Sequence, residues 1–158
     1  MRDKRFIAEH RGGPLTKDNH RKLIRWAREC SEHVLSLIEE DIDERLLHAL
    51  HVAKEWENGN ATVGEARKAS SNAHAVARES ANPISIAVAR SIGHTVATAH
   101  MADHSPGGAL YALRAVGLTG KSIDEERSWQ TKQLKLLPSE IVEMVLASMI
   151  KKTKGFKI

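Results

Sequence analysis

Fifteen residues, "RSIGHTVATAHMADH" at 90–104, hold His94, His100, Asp103 and His104, side chains from which metal sites and general bases are commonly built. On one continuous α-helix, at ~100° and ~1.5 Å per residue, His100 and His104 stand a turn apart and ~40° from each other. Those two could share an ion. His94 would lie ~9 Å along the axis from His100 and ~15 Å from His104, too far for one coordination sphere with ~2 Å bonds. "HMADH" is close to the inverted zincin pattern H-x-x-E-H with Asp103 in place of glutamate, but the shorter carboxylate falls a methylene short. No second motif offers a third ligand. The stretch is therefore read as a buried polar network with no cofactor, in which the imidazoles find hydrogen-bond partners within the protein.

Other residues join the candidate set. His74 and Arg78 share an i, i+4 face that Arg67 and Ser71 extend, a positive stripe suited to the same network or to a carboxylate or phosphate. "RGG" at 11–13 places Arg11 beside two glycines whose amides could face an anion. Cys30 shares an apolar stripe with Trp26 and Val34, and reads as a small buried hydrophobe rather than a nucleophile. In "ERSWQTKQL" at 126–134, Arg127, Trp129 and Gln130 lie near the start of a helix, and Trp and Arg are favoured interface anchors. There is no P-loop, nucleophile elbow or dinucleotide fingerprint. The reading is non-enzymatic; the alternative is a metal-dependent enzyme with His100 and His104 as ligands.

Helices must position these residues, because no segment alternates with period two. Apolar residues at three- and four-residue spacing predict a helix from Thr16 to Glu39 and another from Asp43 to Asn58, with Gly59 as its left-handed stop. Thr62 and Glu65 have capping-box spacing and open a third helix to Ser80. Asn82-Pro83 restarts the chain as a fourth, which carries the histidine stretch. Ser105-Pro106-Gly107-Gly108 is expected to interrupt or kink it before Ala109–Val116 continues. Ser122 and Glu125 repeat the capping-box spacing for a sixth helix to Leu136, and Pro138 introduces a seventh through Ile150. The fold class is all-α, a single-domain bundle of six or seven helices with Ala/Gly-rich central helices, behind an irregular segment 1–15.

With 158 residues, the chain suits one domain with one sizeable core. Its net charge of +4 comes from the last eight residues, "KKTKGFKI", whose four lysines include Lys157 and leave 20 basic and 20 acidic groups before them. Residues 151–158 read as a basic, solvated tail, and a nucleic-acid partner bound through the basic termini is the weaker alternative. No apolar run approaches the ~18 residues of a membrane span, and the first residues lack the apolar core of a secretory signal. A lone cysteine fits a reducing compartment, so the expectation is a cytoplasmic protein with no membrane partner.

The segments "RGGPLT", "HRKLIRWARECSEHVL", "DERLLHALHVAKEWENG", "GEARKASSNAHAVARE", "GHTVATAHMADHSPGGALYALRAV" and "ERSWQTKQL" together resemble the immunity-protein-five-like family of bacterial polymorphic-toxin loci. The resemblance implies an α-helical cytoplasmic protein without catalytic activity, which protects its own cell by binding a cognate toxin protein. It leaves a homo-oligomer open.

Overall fold

The computed structural model describes residues 2–156 and 158. Its helices are α1 (Lys17–Val34), α2 (Glu44–Glu57), α3 (Val63–Glu79), α4 (Pro83–Ala97), α5 (Ser105–Leu118), α6 (Ile123–Leu134) and α7 (Ser139–Phe156). Among the described residues there is no strand, only an isolated bridge between Ala8 and Leu15. The all-α bundle therefore stands. No helix among the described residues is long and apolar enough to cross a membrane.

Local chemistry sets most helix starts. Thr16, Asp43, Thr62, Asn82 and Ser122 each accept a hydrogen bond from a first-turn amide, satisfying donors that a helix leaves orphaned. Thr62 and Glu65 close the full reciprocal box. At α6 the Ser122 hydroxyl accepts from the Glu125 amide at 3.2 Å. Gly59 takes φ +81 after α2, as its position required.

The ends differ from expectation in three places. Helix α1 stops at Val34, not Glu39, because the apolar residues beyond it are brought onto the core by a 3₁₀ turn at Leu35–Leu37. Helix α7 runs on past Ile150 to Phe156, so Lys151, Lys152 and Lys154 are helical rather than a loose tail. Lys152 is half-buried and donates from Nζ to the Asp103 carbonyl at 2.7 Å; Lys157 lies outside the described residues.

The third difference matters most. Residues 82–104 are not one helix. Helix α4 ends at Ala97, where the amides of Thr98, Ala99 and His100 bond three residues back, the tightening expected at a helix terminus. The Thr98 hydroxyl turns back onto the His94 carbonyl at 3.2 Å, while the Thr98 carbonyl accepts from His20 Nε2 at 2.6 Å. Met101 is extended, and a 3₁₀ turn at Ala102–His104 leads into α5. Ser105-Pro106-Gly107-Gly108, expected to interrupt a helix, instead begins one, with Pro106 where a missing amide has no partner to lose.

Helix α4 is sheathed by α1, α2, α3 and α5. One apolar cluster, with Ile24, Leu46, Trp56, Val88 and Ile92, fills the space among α1 to α4; another, with Phe6, Trp26, Leu110, Leu113 and Ile141, joins α1 to α5, α6 and α7. Between α1, α4 and α5 the contact is polar as well as close. Ser31 Oγ lies 2.8 Å from both Ser91 Oγ and Thr95 Oγ1, while Ser91 donates to the Gly108 carbonyl at 2.7 Å and Thr95 to the Ala27 carbonyl at 3.1 Å. Three hydroxyl protons face four contacts, so with Ser91 and Thr95 donating to carbonyls, Ser31 donates to one of these two hydroxyls at a time.

A Cβ at Gly108 would sit 2.6 Å from Thr95 Oγ1 and 3.5 Å from Ala27. Gly108→Ala is expected to cost about 1–3 kcal/mol through overpacking, read as a lower denaturant midpoint at unchanged slope. Gly64→Ala, in the exposed first turn of α3 with its nearest atom at 3.8 Å, is expected to be neutral or to stabilise by up to about 1 kcal/mol.

Candidate functional site

The break at Ala97 folds the histidine stretch back on itself. His94 from the last turn of α4 and His104 from the turn before α5 meet with their Nδ1 atoms 3.3 Å apart, so one ring donates and the other accepts. The expectation that His94 lies too far from His104 is thereby corrected: the separation held for a continuous helix, and the helix is not continuous. His104 also lies 5.5 Å from His100 between ring centroids, and His94 lies 5.3 Å from His74 of α3, edge-on. Tyr111 of α5 stacks on His94 at 5.2 Å and carries the ring of Phe156 from α7.

Glycines make the room. A Cβ at Gly93 would fall 2.6 Å from the His74 ring, and one at Gly107 would fall 2.8 Å from His94 Nδ1. Each imidazole thus occupies space that a side chain on the neighbouring helix would fill. Arg90 of α4 donates to His74 Nδ1 at 2.7 Å; a guanidinium only donates, so Nδ1 is bare and the neutral ring carries its proton on Nε2.

Burial pushes His94 down to about 3, with the neighbouring His104, His74, Lys152 and Arg90 adding to the effect. Burial likewise holds His74 near 4, helped by Arg90, Arg78 and His104. His100 and His104 are lowered by the same cause, with Asp103 opposing. The cluster is therefore neutral at pH 7, a set of imidazoles surrounded by cations.

The other candidates separate. Asp103, expected beside the His100/His104 pair as its carboxylate, reaches Arg2 at 3.2 Å. Arg11 and Arg67 are exposed and both bear on His100, but the "RGG" amides are not free: those of Arg11, Gly12 and Gly13 bond back to Ala8 and Glu9. Arg78 is exposed, and the arginine that binds His74 is Arg90, which the α3 face alone could not reveal. Cys30 is fully buried, and that burial raises its thiol.

Arg127, Trp129 and Gln130 do not form one surface. Arg127 pairs with Asp124 at 3.1 Å. Gln130 is 1 % exposed and knots three helices, donating to the Ala109 carbonyl at 2.9 Å while its own backbone carbonyl accepts from Trp26 Nε1 at 3.0 Å. Trp129 is half-buried and stacks on His33, a residue absent from the sequence-derived candidates. Among the described residues, no three His, Cys, Asp or Glu side chains converge as ion ligands.

Because His94 and His74 titrate lower in the fold than unfolded imidazoles near 6.5, the unfolded chain binds more protons between those values. Stability is then full above pH 6.5 and falls as pH drops toward 4, by about 1.4 kcal/mol per pH unit for a fully buried ring such as His94 approaches and by less for half-exposed His74. His94→Asn, which keeps a polar partner for His104 without a titrating proton, should flatten that slope in denaturant titrations at pH 4.5–7.

No curated protein and no solved structure matches the chain. The profile of the family described as "Imm-5 like putative immunity protein" matches residues 13–137, from the N-terminal glycine turn to the turn before α7. All four clustered histidines, their glycine seats and Trp129 lie within that span, and the chain belongs to the Imm-5 like immunity protein family.

Proposed function

We propose that the protein is a non-enzymatic immunity protein that binds a cognate toxin domain in the cytoplasm and neutralises it. The observation that carries this reading is the family match over residues 13–137. The local chemistry is consistent with it. His74 is engaged with Arg90, and His94 with His104 and Tyr111, while His100 Nδ1 is buried without a hydrogen-bond partner among the described residues. The thiol is sealed in the core, and the bonded histidines act as a structural knot between α3, α4 and α5.

Neutralisation by binding asks for surface rather than for a reacting group. A stable interface of standard size covers about 800 Å² on each partner, which is close to a tenth of the 8267 Å² that the chain exposes. The simplest mode is coverage of the toxin's active site.

Co-expression with the toxin domain encoded beside this protein is the test. Survival of the producing cell and a joint peak on gel filtration are expected. Unchanged killing together with two separate peaks would overturn the proposal.

A further inference from the structure

Between the last turn of α1 and the first turns of α6, the surface opens into a groove of about 630 Å³. Its apolar lining comes from Val34, Leu37 and Val116, and one wall is an aromatic pair. The rings of His33 and Trp129 lie 3.6 Å apart and within 5° of parallel. Glu126 pins the pair, its Oε2 accepting from His33 Nδ1 at 2.6 Å, and Trp129 packs on the core behind it. The His33 side chain nevertheless stays 41 % exposed. A platform held this way loses little conformational entropy when something lands on it.

The charge around the groove is mainly negative. Glu125 is exposed at its rim beside Glu126, and Lys121 is the only lysine or arginine lining it among the described residues. The chain segment from Leu35 to Asp43 separates this groove from another of about 760 Å³, lined by Glu40, Asp41, Asp43 and Glu79. There, among the described residues, the one lining cation is Arg45, already bonded to both Asp43 and Glu79. Residues 39–44 include five acids and no base. Six carboxylates, Glu40, Asp41, Asp43, Glu79, Glu125 and Glu126, thus line these two grooves, whereas the groove that holds Arg2, Lys151 and Lys152 also holds Asp3 and Asp103.

We propose that the His33–Trp129 groove is the docking site for a basic face of the toxin, with an arginine or lysine of the toxin packed on His33 and met by Glu125 and Glu126. The proposal rests on the immunity reading above. A planar guanidinium suits the site best, since it stacks on aromatic rings and pairs with carboxylates through two parallel bonds. The neighbouring acidic groove extends the attraction, raising the association rate more than the strength of the final complex.

The test measures binding kinetics between the full chain and the toxin domain encoded by the neighbouring reading frame, in catalytically disabled form. Association should slow steeply with added salt. Glu125→Lys should weaken binding tenfold or more, mainly through slower association, and Trp129→Ala by a similar factor through faster dissociation. Lys151→Glu, at the other groove, should stay within twofold. Glu125 is exposed, so Glu125→Lys decides the matter should Trp129→Ala fail to fold. Wild-type binding that Glu125→Lys leaves within twofold, or that Lys151→Glu weakens equally, overturns the docking site and leaves the immunity reading standing. No binding by the wild-type chain overturns both.

Discussion

Around α4 the helices approach so closely that three glycines are required, and most of the polar architecture follows from that closeness. Gly93 admits the His74 ring of α3, Gly107 admits His94, and Gly108 admits the Thr95 hydroxyl. In each case the group that fills the space is polar and bonded. His74 is held by Arg90, His94 by His104, and Thr95 by Ala27 and Ser31. A buried polar group without a partner is costly, so these helices can lie this close only if the hydroxyls and imidazoles between them find one another. Spacing and hydrogen bonding are here one constraint.

That constraint explains how the histidine-rich stretch packs. Imidazoles kept from water, with Arg90, Arg78 and Lys152 around them, gain more from staying neutral than from taking up protons. Asp103, the acid nearest in sequence, faces Arg2 instead. His94 and His104 share one hydrogen bond and His74 accepts from Arg90, so these contacts link α3, α4 and the turn before α5. The opposite sign of charge lies around the loop that follows α1, where carboxylates line two grooves and the His33–Trp129 stack stands partly open.

Much of this was legible from residue order. Thr62 with Glu65, Asn82 with Pro83, and Gly59 after α2 act through contacts within a few residues, so their spacing alone placed three helix boundaries. Cys30 fell on an apolar stripe and is buried as its neighbours implied. Pro106 shows the limit. The same residue type that marks the start of α4 reads in sequence as an interruption at 106, because the histidine run before it has a helical pattern throughout. His20, whose bond to the Thr98 carbonyl secures the end of α4, lies 78 residues away in sequence, and no local pattern could have announced it. The five acids at 39–44 were a readable signal for the acidic end; what hid it was the even balance of charge over the body of the chain.

The sequence by itself determined an all-α bundle, most of its helix starts and its family, because caps, apolar periodicity and recurring segments are properties of neighbouring residues. Only the tertiary structure decided which histidines meet, that Arg90 rather than Arg78 binds His74, that Gln130 is buried while His33 stacks on Trp129, and that Lys151, Lys152 and Lys154 extend a helix. Each of those outcomes depends on where distant turns bring the chain back, and a single reversal at Ala97 moves His94 from about 15 Å away, on a straight helix, to hydrogen-bonding contact with His104.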